Sequence, residues 1–182
     1  KKYVEEPTTI LAYLMAILIA LTFLVSPVFL RYVLPQYESG LKPLQVLLVG
    51  TFFISLVNMS GHFLIAINKP HYLLLIGGGV ILVGILLGFL FIKLGWGLIG
   101  IALATTLAYF IYNTLAVGYA YRFWQKSNRA LISFYLKIYF PFFYFTPWLL
   151  ILSRIGRLRG PWPIDLAVTL VRVAGLAIIS LP

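Results

Sequence analysis

The chain has no cysteine, and only four acidic side chains and two histidines stand among its 182 residues. Without cysteine there are no disulfides, thiolate metal sites or cysteine nucleophiles, and the redox character of the compartment is unreadable. Glu5 and Glu6 stand together near the start, Glu38 in a polar stretch and Asp165 near the end, so no two carboxylates are set for general acid–base work on one element. No glycine-rich loop ends in Lys-Ser or Lys-Thr, because Gly77, Gly78 and Gly79 lie inside an apolar run, and direct ATP hydrolysis is not expected. His62 and His71 lie nine positions apart with no carboxylate near either. The chain is therefore expected to be neither an enzyme nor a metal binder, and to carry no cofactor.

What is present is apolar sequence. Hydrophobic residues make up 62% of the chain and charged residues 10%, with a mean hydropathy of +1.02; a soluble domain is far less apolar. The formal charge of +10 could suggest nucleic acid, but the 14 Lys and Arg are scattered in the gaps between apolar runs. A membrane protein keeps its basic residues there. Membrane lipids are the expected surroundings, and no nucleic-acid partner is expected.

The most informative stretch is GWGLIGIALATTLAYFIYNTLAVGYAY, residues 95–121. Residues 96–119 carry no formal charge, and 24 helical residues span about 36 Å against roughly 30 Å of hydrocarbon. Gly97, Gly100, Ala104 and Ala108 recur at spacings of three and four, leaving a shallow groove where another backbone can approach. Trp96 at one end and Tyr119 and Tyr121 at the other suit the water–lipid boundary, and Arg122 follows as a charged stop.

Five further apolar runs surround it. The first, residues 8–29, has Pro7 just ahead, Thr8 or Thr9 as a cap, and Ser26-Pro27 to kink its last turn. RYVLPQYESGLKP, residues 31–43, reads as an interfacial loop. In the second run, residues 44–67, Thr51, Ser55, Asn58 and His62 share one helical face, which neighbours or water must satisfy. After the turn Asn68-Lys69-Pro70-His71, the third run, residues 72–92, carries Gly77, Gly78, Gly79, Gly84 and Gly88, read as close-packing positions. Lys93 and Gly95 turn the chain into the fourth helix. The polar segment RFWQKSNR precedes a fifth, aromatic-rich run, residues 131–152, with Lys137 near its start and breaks at Pro141 and Pro147. Arg154, Arg157 and Arg159 then suit phospholipid headgroups, and residues 164–181 form a last run with Arg172 near its middle. The expected fold is an all-α, polytopic transmembrane helix bundle of about six spans.

Basic residues orient it. If the helices alternate, Lys1, Lys2, Lys69, Arg122, Lys126 and Arg129 lie on the side of the N-terminus, against Arg31, Lys42 and Lys93 on the other over the first four helices. That asymmetry puts the N-terminal end in the cytoplasm, although the Arg154, Arg157 and Arg159 cluster would even the count if the fifth run crosses fully.

The order FLVSPVFLRYVLPQYESGLKPLQVLLVG, then LIAINKPHYLLLI, then KLGWGLIGIALATTLAYFIYNTLAVGYAYR resembles the C-terminal half of the polysaccharide-biosynthesis flippases. These belong to the multidrug/oligosaccharidyl-lipid/polysaccharide exporter superfamily. The resemblance covers residues 24–122 and fades beyond 129. It implies that residues 1–122 form a four-helix part of the second lobe of a two-lobe exporter. Residues 123–130 would then be a polar loop, and residues 131–182 an additional C-terminal helix pair. It further implies a multi-pass protein of the cytoplasmic (inner) membrane, with a lipid-linked sugar as substrate and an N-terminal half of the same protein as partner. Lys1 in place of Met and an apolar run reaching Pro182 lead to the same expectation of a fragment.

Flipping a lipid-linked oligosaccharide needs a polar path, because sugar and pyrophosphate cannot cross hydrocarbon unsolvated. The candidates are Thr51, Ser55, Asn58 and His62 on the second helix and Tyr109, Tyr112 and Asn113 on the fourth. The bland reading is that these groups bond to neighbouring helices. Arg172 joins them as the one charge deep in an apolar run, needing a partner or a wet cavity. Asp165 lies seven positions before it, about 10 Å along a helix, which is long for a direct bridge. A phosphate group, or snorkelling to the interface, are the other readings of Arg172. Rival functions are an integral-membrane polymerase or glycosyltransferase acting on lipid-linked sugars, a multidrug antiporter of the same superfamily, and a non-transporting scaffold. The first should carry a large acidic or Arg-rich external loop, and the second acids within its helices. Translating the flanking DNA should add about six to eight helices upstream, as a two-lobe transporter requires; an initiator Met before Lys1 and a stop codon after Pro182 would rule out the two-lobe reading.

Overall fold

The computed structural model describes residues 2–123, 127–154, 165 and 167–173, and among these there is no strand. The helices are α1 (Lys2–Val33), α2 (Leu41–Ala66), α3 (Pro70–Lys93), α4 (Gly97–Tyr121) and α5 (Asn128–Arg154), with a 3₁₀ segment, Pro35–Gly40, between α1 and α2. Residues 165 and 167–173 are helical as well. Among the described residues, four stretches are long and apolar enough to cross a membrane: Glu5–Val33, Pro35–Ala66, Pro70–Lys93 and Gly97–Tyr121. The protein is an all-α helical bundle of the membrane. The 27 residues of α5 reach about 40 Å, but its tyrosines, prolines and Lys137 make it less apolar than the other four. Arg157, Arg159 and most of the expected sixth run lie outside the described residues.

A helix end leaves its last carbonyls without partners in the helix, and the two tight turns between the spans satisfy theirs with backbone N–H groups. At the end of α2, Asn68 adopts a left-handed φ of 57°, its N–H bonds Ile65 O at 2.9 Å, and Lys69 N–H bonds Leu64 O at 2.8 Å. Gly95, with φ 80°, repeats this after α3, through Gly95 N–H to Ile92 O at 2.9 Å and Trp96 N–H to Phe91 O at 3.1 Å. Both are Schellman ends. In the second, the apolar contact that accompanies the motif is present too, since the Trp96 ring stacks on Phe91 at 5.0 Å. Pro70 then opens α3 at a position where its missing N–H costs nothing.

The first helix departs from the sequence expectation. It starts at Lys2 and contains Pro7, so Thr8 and Thr9 lie inside it rather than capping it, and the Thr9 hydroxyl bonds back to Glu5 O at 2.7 Å. Glu5 in the first turn favours the earlier start by facing the positive end of the helix dipole. Helix α1 also continues through Pro27 to Val33. Proline has no N–H for the carbonyl four residues back, which here belongs to Phe23; the Ser26 hydroxyl bonds that carbonyl at 3.0 Å instead.

Packing centres on α4. One face presents Ala104 and Ala108 to α3: a Cβ on Gly84 would lie 3.2 Å from that of Ala108, and one on Gly88 3.9 Å from that of Ala104. On another face Thr106 meets Gly50 of α2, where an added Cβ would stand 2.9 Å from the Thr106 hydroxyl. That hydroxyl bonds Val46 O across the interface at 3.0 Å. Gly100 meets α3 as well, where an added Cβ would stand 2.8 Å from that of Phe91, whereas Gly97 sits at the turn with φ 51°. Gly78 and Gly79 meet nothing within 4 Å.

On the other side of α2, the small residues Ala12, Ala16 and Ala20 of α1 share a core with Phe52, Phe53 and Leu56 of α2 and with Phe134, Ile138 and Phe145 of α5. Tyr121 belongs to this core, stacked on Phe134 at 5.1 Å and hydrogen-bonded to Glu5. It is 2% exposed, so its ring is covered by the bundle. Tyr119 joins Tyr72 and Phe123 in an aromatic cluster, with Lys69 4.6 Å over the Phe123 ring. We expect Gly84→Ile to destabilise the bundle by about 1–3 kcal/mol, the cost of overpacking a tight contact. Gly78→Ile should change stability by about 0.5 kcal/mol or less, both measured by thermal unfolding in detergent.

Candidate functional site

The small residues that bring α3 and α4 together also leave a groove of about 650 Å³ between them, floored by Ile54 of α2. Its walls are apolar: Ile81, Ile85, Phe89 and Ile92 from α3, Ile101 and Ala108 from α4. The polar side chains in it are Thr105, Tyr109 and Tyr112, and the Thr105 hydroxyl is already donated to Ile101 O at 3.0 Å. Gly77 lets the Tyr112 ring lie against the α3 backbone, 3.7–3.8 Å from where a Cβ would be. Two of the expected path residues, Tyr109 and Tyr112, thus border an apolar trough.

The four candidates on α2 separate into two pairs. Thr51 and Ser55 are half-buried, and their hydroxyls are donated to the carbonyls of Leu48 at 2.7 Å and Phe52 at 2.8 Å in their own helix. Asn58 and His62 are exposed. They follow Ile54 at steps of four residues, so the side of α2 that floors the groove continues one and two turns further as an amide and an imidazole.

Asn113 lies elsewhere. It is fully buried, facing α5, where its Nδ2 donates to the Tyr139 hydroxyl at 2.8 Å. The Thr114 hydroxyl gives its proton to Phe110 O at 2.8 Å, so in the 3.2 Å contact between Thr114 and Tyr139 the tyrosine is the donor. The Tyr135 hydroxyl donates to Thr114 O. Two tyrosines of α5 thereby attach it to α4 through a directed chain of hydrogen bonds. Asn113 Oδ1 has no partner among the described residues.

The eighth candidate, Arg172, is 3% exposed, and its surroundings include a residue that spacing alone did not connect with it. Asp165 is 1% exposed, and its Oδ2 accepts from Arg31 Nη1 at 2.7 Å and from the Tyr32 hydroxyl at 2.8 Å. Arg31 and Tyr32 close α1, 134 and 133 positions away in sequence. The available signal was composition: Asp165 is the one acid in the last third of the chain, and Arg31 stands at the end of an apolar run. The eight candidates therefore occupy three places: the groove and α2 stripe, the α4–α5 seam, and the junction of α1 with residues 165–173.

Comparison of the chain with protein-family models, with curated proteins and with solved structures finds no match. The seam yields its own prediction. Tyr139→Phe removes the acceptor of Asn113 Nδ2 and should cost about 1–3 kcal/mol, the penalty for a buried group left unpaired. Adding Asn113→Leu should cost less than the two single changes together, because the partner it strands is already gone. A double-mutant cycle of unfolding in detergent measures this; strict additivity would mean that the two side chains do not interact.

Proposed function

We propose that this chain is the C-terminal part of a membrane transporter, a flippase that moves lipid-linked oligosaccharide or polysaccharide precursors across the cytoplasmic membrane by alternating access. The observation that carries the proposal is the groove between α3 and α4 with Ile54 of α2 in its lining, and the exposed Asn58 and His62 one and two turns further along the same side of α2. Such a molecule has a long apolar chain and a hydroxyl-rich head. The trough suits the first by dispersion and exclusion of water, and the stripe suits the second by hydrogen bonding. Thr51 and Ser55 would widen the polar face when their hydroxyls rotate away from their own helix. The N-terminal end lies in the cytoplasm in this proposal, with the Asn68–Lys69 turn on the same side, and an N-terminal half of the same protein forms the opposite wall of the path.

The antiporter reading gains one observation, the buried carboxylate of Asp165. That oxygen already accepts from Arg31 and Tyr32, an arrangement suited to holding two segments together rather than to binding and releasing a cation. The flippase reading is tested with the complete protein in proteoliposomes containing a fluorescent lipid-linked oligosaccharide. Asn58→Leu with His62→Leu should slow flipping by about tenfold, the loss of one or two hydrogen bonds at about 1 kcal/mol each, with unfolding temperature unchanged because both side chains are exposed. Undiminished flipping in the double variant, or no flipping by the parent, would refute the assignment.

A further inference from the structure

One face of α5 carries Ala130, Ser133, Phe134 and Lys137, at steps of three and four residues. Together with Glu5 of α1 and Tyr121 of α4 they line a pocket of about 250 Å³. It stands at a membrane boundary, since Glu5 begins the first apolar stretch and Tyr121 ends the fourth. Lys137 lies about 14 Å along α5 from its start at Asn128. Helical side chains lean toward the N-terminal end of their helix, which brings its ammonium back toward that boundary.

Unlike the groove between α3 and α4, this pocket holds charge of both signs, and the two charges do not meet. Glu5 and Lys137 line one cavity without forming an ion pair. Glu5 is half-buried, whereas Ser133 and Lys137 are exposed, so the carboxylate is the more sheltered of the two charges. The Tyr121 hydroxyl donates to it, but an ionised carboxylate has about four acceptor positions, and the rest can serve a cation that carries N–H groups. Lys137 brings three donors and a compact positive charge, which suits a phosphate. A ligand that answers both side chains carries an ammonium and an oxyanion a few bonds apart. At a membrane boundary, lipid headgroups are the abundant source of such groups.

We propose that this pocket is a binding site for a phosphoethanolamine group, carried by a phospholipid or free in solution. Glu5 accepts from the primary ammonium, Lys137 and Ser133 bind the phosphate, and Ala130 and Phe134 pack against the two-carbon link. Glu5 also sets the selectivity: it repels an anionic headgroup that lacks an amine, and choline has no N–H to give it. The site is separate from the groove and the α2 stripe and does not depend on the transport reading. Once bound, the group ties the first turn of α1 to α5.

The test uses the full chain, delipidated in a neutral maltoside and followed by thermal unfolding. One arm compares phosphatidylcholine nanodiscs with and without phosphatidylethanolamine, with phosphatidylglycerol as the anionic control; the other titrates free phosphoethanolamine against phosphocholine in detergent. Greater stabilisation by the ethanolamine compound than by the choline compound is expected in at least one arm, and the responding arm identifies the source. Lys137→Gln should weaken the response by about ten- to a hundredfold in ligand concentration or mole fraction, as expected for one lost charge-assisted hydrogen bond. Glu5→Gln should remove the preference for ethanolamine over choline. Lys137 is exposed, so its variant gives the reading if Glu5→Gln does not fold. Equal responses to the ethanolamine and choline compounds in both arms overturn the site. So does a response to phosphatidylglycerol as large as that to phosphatidylethanolamine, or an ethanolamine response that survives Lys137→Gln undiminished.

Discussion

A polar group carried into hydrocarbon must find its partner inside the protein, and this constraint accounts for most of the hydrogen bonds that are not simple helix ladder. Between the spans, the two tight turns likewise close their helices with their own backbone, through Asn68 and Gly95. Ser26 serves the carbonyl that Pro27 cannot. Thr51, Ser55, Thr105 and Thr114 each return a hydroxyl to their own helix, so side chains that look like a polar stripe in sequence are in part already spent. Among the threonines of α4, Thr106 donates its hydroxyl to another helix, where Gly50 allows the backbones of α2 and α4 to meet.

That meeting makes α4 the pivot of the bundle. Helix α2 lies on one of its faces and α3 on another, each through small residues. Helix α3 has only Val80 buried, so it leans on α4 along a single seam and leaves the groove between them open. Helix α5 belongs to the opposite side, in the core with α1 and α2, and it touches the polar side of α4 through Tyr135 and Tyr139. The two outer helices are thus held differently, α3 by close apolar contact and α5 by aromatic packing and hydroxyl groups. A relative movement of α5 against α4 would exchange hydrogen bonds, whereas one of α3 would strip van der Waals contact.

The separation of the polar residues bears on the transport proposal. A path that included Asn58, His62 and Asn113 together would have to reach from the α2 surface to the α4–α5 seam. Asn113 is instead committed to Tyr139, which leaves the α2 stripe and the tyrosines of the groove as the surface on which a substrate head could rest. Arg172 lies apart from both, bound up with Asp165 and the end of α1. The apolar groove is lined by uncharged side chains.

Much of the fold was legible in the residues. Hydropathy and length marked about six spans, of which four stand among the described residues; Asn68 and Gly95 marked turns, and Gly84, Gly88, Ala104 and Ala108 marked a close contact, because each depends on composition or on spacing within one element. The start of α1 was misread, since a proline usually precedes a helix, while here Pro7 is accommodated within it. Which small residues would meet, and which would face open space like Gly78 and Gly79, depended on how α3 lies against α4. The pairing of Asp165 with Arg31 and of Asn113 with Tyr139 lay beyond the sequence altogether. Periodicity tells which residues share a face of one helix; only the packing of helices tells which faces meet, and a buried polar group takes whatever partner that packing delivers.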